Sequence, residues 1–136
     1  MLSRRESRIA LGAVAAMVAV AIAGAGYEYH HEQRDQRKHA EAITGGDPTR
    51  GRALFAAYGC GGCHSLSGVA QAHGQIGPPL DTIGERAMIA GKLQNTPQNL
   101  ENWIVDPQAV TAGTAMPRLG VSPAQARDIA AFLYTH

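Results

Sequence analysis

The sequence predicts an all-α protein: one small helical domain preceded by a single membrane-crossing helix. Three observations predict it. Residues 9–26 are eighteen successive uncharged residues, all Ala, Val, Ile, Gly, Leu or Met, and Arg4, Arg5 and Arg8 stand before them. Downstream, helix-opening and helix-stopping residues bracket short apolar faces, and no run alternates as a half-buried strand does. The whole chain has 136 residues, room for one domain of ordinary size and not for a multidomain enzyme.

The elements run in order along the chain. Segment 1–8 reads as a basic region left on the cytoplasmic side, and 9–26 as a transmembrane anchor. A spanning helix needs roughly 20 apolar residues with about 17 as its lower limit, whereas the apolar part of a signal peptide runs about 7–15. Length favours the anchor. An exported signal remains the alternative, with Ala21-Ile22-Ala23 and Ala23-Gly24-Ala25 as small-residue cleavage patterns. A buried core helix fits poorly, because no face of the run is polar. Either reading places the residues after Gly26 outside the cytoplasm.

Residues 27–46 form a charged stalk of mixed sign that carries His30, His31 and His39. These histidines lack a fourth ligand and a fixed metal-binding spacing, so a solvated stalk is the expectation. Fully extended, it would reach on the order of 70 Å. Gly45-Gly46 breaks any helix, and the domain is expected at 47–136.

Asp47-Pro48 reads as an N-cap followed by proline at the first helical position, with Leu54, Phe55 and Tyr58 as the apolar face and Gly59 as the stop. Thr96-Pro97 opens a second helix with Leu100, Trp103 and Ile104 on its apolar face, stopped by Pro107. Ser122-Pro123-Ala124-Gln125 is a capping box that opens the last helix. Net charge is +1, which argues against nucleic acid as a partner, and two cysteines exclude a disulfide-dense scaffold. A domain of this size with 5% aromatic residues across the chain is marginal on burial alone. Something else is expected to fill its core.

Cys60-Gly61-Gly62-Cys63-His64 supplies the answer. C-x-x-C-H is the attachment pattern of c-type haem. Two thiols one turn apart add across the two porphyrin vinyl groups, and the adjacent histidine becomes an axial iron ligand. A zinc half-site lacks its second Cys/His pair here, and a thioredoxin-like dithiol lacks its βαβ setting. Haem c, one per chain and covalently bound, is therefore expected on Cys60 and Cys63 with His64 on the iron.

The second axial ligand separates electron transfer from chemistry at an open iron. Met1 and Met17 lie in the N-terminal segments. Met88 falls in an expected short helix as core packing. Met116, in Ala112-Gly113-Thr114-Ala115-Met116-Pro117, lies in an expected loop that can offer a thioether, and is the preferred ligand.

Together these residues resemble the class I, mitochondrial-like cytochromes c across 46–136. The resemblance rests on Gly51 and Phe55, the Cys60–His64 motif, Gly77-Pro78, Met116-Pro117, and Ile129 and Phe132. Gly77-Pro78-Pro79-Leu80 through Arg86, Asn95-Thr96-Pro97, Leu100, Trp103-Ile104 and Asp106-Pro107 narrow it. That series looks like the cytochrome c domain fused to subunit II of bacterial haem–copper oxidases. The copper-binding domain of that subunit has no counterpart in the sequence, so a free-standing relative is expected. The resemblance implies a class I cytochrome c fold in which Gly51 lets the last helix cross closely. It implies that the Pro78 carbonyl accepts a hydrogen bond from His64. It also places Trp103 at the interval of an aromatic beside the ligating sulfur, where an ordinary core tryptophan would serve as well. Arg86 is a candidate partner for a haem propionate, or a solvent-facing arginine. Ala112 stands where such loops commonly have proline, which weakens the expected stiffness of the Met116 loop.

The expected protein is a membrane-anchored mono-haem electron carrier rather than an enzyme, single-pass in a bacterial inner membrane with its domain in the periplasm. It would take electrons from a quinol-oxidising complex or dehydrogenase and pass them to a terminal haem–copper oxidase. The rival readings are a haem enzyme or sensor with an exchangeable sixth ligand, and an integral cytochrome subunit of a periplasmic dehydrogenase. Residues 44–136 carry six basic and six acidic side chains, so no basic surplus for steering is expected.

Overall fold

The computed structural model describes residues 4–136, with side chains described from residue 7 onward. Residues 1–3 of the expected cytoplasmic segment 1–8 lie outside the described residues. Two compact units result, one ending at Asp35 and the other comprising Gln36–His136.

Helix α1 (Arg4–Thr44) includes both the apolar and the charged segments. An 18-residue window within it has a mean hydropathy of 2.2, and none of that window is buried. Ile9, Leu11, Val14, Val20 and Ile22 are all exposed, as expected of a helix whose apolar surface is not covered by protein. It is long and apolar enough to cross a bilayer. The charged segment differs from the extended stalk the sequence suggested, because it is helical through Thr44. Residues 27–44 therefore rise roughly 27 Å, at about 1.5 Å per residue. Pairs one turn apart suit that helix: His31 Nδ1 lies 3.0 Å from Asp35 and Arg37 Nε lies 3.0 Å from Glu41. Among the described residues no three His, Cys, Asp or Glu side chains gather as a metal site.

The helix stops where the glycines stand. Gly45 takes φ +69°, a left-handed conformation that costs glycine little. Thr44 donates its hydroxyl to the Ala40 carbonyl at 2.6 Å and accepts from the Gly46 N–H at 3.1 Å. Ala40 and Thr44 are buried within the second unit, so the end of α1 belongs to that unit's packing.

The rest of the second unit carries four short α-helices, two 3₁₀ turns and one minimal hairpin, joined by long coils. Helix α2 (Pro48–Ala57) is capped by Asp47, whose Oδ1 accepts from the Thr49 and Arg50 N–H groups at 2.7 and 3.3 Å. Helix α3 (Pro97–Val105) is capped by Thr96, and the one-turn α4 (Pro107–Val110) comes at once after it. The sequence reading stopped at Pro107. Here that proline ends one helix and, as a first-turn residue, begins the next. Helix α5 (Pro123–Leu133) opens with the Ser122–Gln125 capping box. Helices α2 and α5 pack where α2 lacks a side chain, since a Cβ on Gly51 would lie 1.9 Å from the Asp128 carbonyl oxygen. Beside that approach Phe55 and Phe132 meet edge-to-face at 5.6 Å. Leu66, Leu80, Ile83, Ile89, Leu100, Ile104 and Ile129 complete the core.

Met88 departs from the sequence reading. It lies in strand β1 (Met88–Ile89), paired antiparallel with β2 (Leu93–Gln94), and it is 43% exposed. Ala90 and Gly91 take φ of +51° and +65°, which turns the chain back where a helix was expected. Period-two alternation then puts Ile89 in the core and Met88 outside.

Candidate haem site

Gly59, at φ +70°, ends the α2 segment and starts a 3₁₀ turn at Cys60–Gly62. The Cys60 carbonyl accepts from the N–H groups of Cys63 and His64 at 3.2 and 3.0 Å. This tight turn carries both thiols and the imidazole within five residues. The next loop folds back onto it: Gly74 N–H donates to the Gly61 carbonyl at 3.0 Å, and Gly77 N–H to the Cys63 carbonyl at 2.8 Å. A Cβ on Gly61 would lie 2.6 Å from the Gln71 carbonyl oxygen, and one on Gly74 would lie 2.3 Å from Cys63 backbone. The glycines are there because two stretches of backbone touch.

His64 is held on one side only. Its Nδ1–H donates to the Pro78 carbonyl at 2.8 Å, the bond that the resemblance implied. A carbonyl can only accept, so Nδ1 bears the proton and Nε2 keeps its lone pair for a metal. Gly77 makes room for the ring, since a Cβ there would come within 2.3 Å of His64 Cε1.

Cys60 and Cys63 are half-buried and form no disulfide. Burial pushes the Cys60 thiol up to about 11.

Met116 lies half-buried in the coil between α4 and α5. Gly113 takes φ +79° there, and Thr114 N–H donates to the Thr111 carbonyl at 3.1 Å. Gln108, on α4, reaches this coil: its Nε2 donates to the Thr114 and Met116 carbonyls, each at 2.9 Å, and its Oε1 accepts from the Gly113 N–H at 3.0 Å. Sequence reasoning missed Gln108, and only the short interval from the expected α3 stop to Met116 pointed toward it. Asp106 caps α4 through the Ala109 N–H at 3.1 Å and pairs with Arg118, which joins the two ends of the segment.

Arg86, Trp103 and two further histidines of the domain have defined places too. Arg86 donates to the Pro79 carbonyl, one residue past Pro78. Trp103 is half-buried against the core from α3. His73 is exposed, opposite Ser65 in an isolated bridge. The His136 ring packs edge-on against Phe132 at 4.8 Å.

These residues suit a c-type haem. The donor set is two unpaired thiols in one turn, an imidazole with its Nδ1 already engaged, and a thioether in a coil. Thr111 Oγ1 is buried without a hydrogen-bond partner, the kind of atom that a bound molecule's polar edge satisfies. Within the second unit Ile76, Met88 and Leu119 remain exposed, and in sequence they adjoin Gly77-Pro78, lie in β1 and come soon after Met116.

The family model for cytochrome c matches residues 48–136. The chain belongs to the cytochrome c family. This cytochrome is 44% identical over 68 residues to a cytochrome c oxidase subunit 2 of Alkalihalophilus pseudofirmus, across 50% of the chain and 19% of that relative. It is 31% identical over 83 residues to a cytochrome c oxidase subunit 2 of Bacillus sp. strain PS3, across 60% of the chain and 23% of that relative. The matched segments thus span about a fifth of the curated relatives' length. No solved structure matches significantly. Membership brings covalently bound haem c and electron transfer with it, and makes this a class I cytochrome c related to oxidase subunit II.

Proposed function

We propose that this cytochrome carries single electrons to a terminal haem–copper oxidase, and that α1 holds it in a bacterial inner membrane as a single-pass anchor. Its domain lies in the periplasm, and its donor is a quinol-oxidising complex or a dehydrogenase. The observation that carries the reading is the donor set: His64 with Nε2 free for iron, and Met116 on a tied coil. Were His64 and Met116 both to hold the iron, exchange would be outer-sphere and no substrate would bind at the metal. The chain is then a carrier rather than an enzyme.

When bound, the haem supplies a reversible one-electron iron couple. The chain's own residues do the rest. Cys60 and Cys63 would hold the macrocycle by thioether bonds. His64 would bind through Nε2, since its Nδ1 bond to Pro78 fixes the tautomer and the ring's orientation and raises its basicity. Met116 offers the softer ligand, which favours reduced iron. Arg86 and Trp103 form part of the haem environment. The oxidase subunit 2 relatives support an oxidase as the acceptor.

Six basic and six acidic side chains in residues 44–136 leave no net field to steer encounter, so the tether supplies the local concentration. Oxygen consumption in membranes reconstituted with the anchored protein, or with a form whose residues 1–26 are replaced by a cleavable signal, tests this across a salt series. The anchored form should be much faster at native abundance and nearly indifferent to salt. Equal rates, or a steep salt dependence of the anchored form, would contradict it.

A further inference from the structure

We infer that Gln108 is the positioning residue that clamps the Met116 segment and so controls access to the sixth iron position. The inference rests on Met116 as the iron ligand.

Gln108 stands on a fixed base. Pro107 beside it is fully buried, and Asp106 both caps α4 and pairs with Arg118 across the segment. From that base one side-chain amide uses both kinds of hydrogen-bonding group. Nε2 donates to the carbonyls of Thr114 and Met116, and Oε1 accepts from Gly113 N–H. The pattern admits one amide orientation, because the flipped group would set its oxygen against two carbonyls. The rest of the segment offers little support. Among the described residues, the only backbone N–H within 112–121 that donates to another backbone group is that of Thr114. Ala112 supplies none of a proline's stiffness, and Gly113 is at φ +79°. Beyond the Asp106–Arg118 pair at its ends, the order around Met116 comes from the three bonds of one half-buried side chain.

A clamp of this kind has a kinetic consequence. An external ligand reaches the iron only when Met116 leaves, and Met116 leaves most readily when its segment opens. Weakening the clamp should speed ligand entry even where Met116 remains the resting ligand.

The test uses the oxidised holoprotein and the rate at which it binds imidazole. Gln108→Met keeps length and volume while removing all three bonds, and should raise that rate about tenfold or more, the factor that two ordinary net hydrogen bonds carry. Gln108→Glu keeps the acceptor for Gly113 but sets a carboxylate against two carbonyls, and should raise it at least as far. Tyr58→Phe loses a remote bond to Gln125 Oε1 and should leave the rate at the parent value, which separates clamping from general loosening. In the unmodified protein the Gly113 amide should be protected from hydrogen exchange. A Gln108→Met rate within twofold of the parent, a Tyr58→Phe rate raised equally, or an unprotected Gly113 amide would overturn the clamp. Met116→Ala tells the two failures apart. If it leaves the near-infrared sulfur-to-iron band in place, the ligand assignment falls and the clamp with it. If it removes the band while Gln108→Met binds imidazole no faster, only the clamp falls.

Discussion

The α2–α5 crossing and the coils that carry His64 and Met116 are held together in different ways. At the crossing, order comes from close approach: bare Gly51 against the Asp128 carbonyl, Phe55 against Phe132, and a core of aliphatic side chains. One polar feature sits within it. The Asp128 carboxylate accepts from Asp47 N–H at 2.7 Å and from Arg50 Nε and Nη2 at 2.9 and 3.0 Å, which ties the start of α2 to α5. In the coils, order comes from individual polar bonds: His64 to Pro78, Gly77 to Cys63, and Gln108 to three backbone groups. Burial tolerates small adjustments in many places at once, whereas a coil held by a few bonds keeps a ligand atom in place only while each survives. Damage to the crossing should therefore cost stability and leave the haem spectrum alone. Damage to the coils should do the reverse.

The largest expected effect is at the crossing. Gly51→Val drives a branched side chain into the backbone of α5 and should destabilise by about 3 kcal/mol or more, read by denaturant unfolding of the holoprotein. Whatever folds should keep the parent spectrum. A spectral change at unchanged stability would break the comparison.

Asp128→Asn comes next, at about 2 kcal/mol, since hydrogen bonds to a buried charge exceed neutral ones. Its pH signature sharpens the case. The Arg50 guanidinium beside Asp128 holds its carboxyl below the ordinary value of 3.8, with the Asp47 N–H adding to that shift. A depressed carboxyl contributes stability that is complete above its unfolded value and is lost as pH falls through the folded one. Stability should therefore drop below about pH 3.8 in the parent more steeply than in Asp128→Asn. Parallel acid profiles would remove Asp128 from the account.

Gly77→Ala should disturb the α2–α5 packing least of the three, because the group in its way is the His64 ring rather than the backbone of α5. Yet its new methyl group must displace the His64 ring. Its absorption and reduction potential should shift more than those of either crossing variant. An unchanged potential would show that the ring's placement does not depend on the Gly77 backbone.

Much of this was legible in the sequence because local chemistry decides it. Asp47-Pro48, Thr96-Pro97 and the Ser122–Gln125 box open helices where they stand, and Gly59 ends one. The C-x-x-C-H spacing pointed to haem c, and the family match supports that cofactor. The features that escaped reading depended on partners distant in sequence or on backbone signs. Met88 looked helical because nothing in Ala90 announces a left-handed residue, yet that residue and Gly91 make a hairpin. The charged segment after residue 26 looked like an open stalk, and its i,i+4 pairs suit the helix it forms. Gln108 was invisible for another reason. Glutamines are usually solvated, and only the return of the coil to α4 shows what this one holds.

The near-infrared spectrum of the oxidised holoprotein tests the account most directly. The parent should show the sulfur-to-iron charge-transfer band associated with paired methionine and histidine ligation. Met116→Ala should abolish it, admit external ligands to the iron and lower the reduction potential, while Met88→Ala should leave the band intact. Loss of the band in Met88→Ala with its survival in Met116→Ala would contradict the assignment and the electron-carrier geometry built on it.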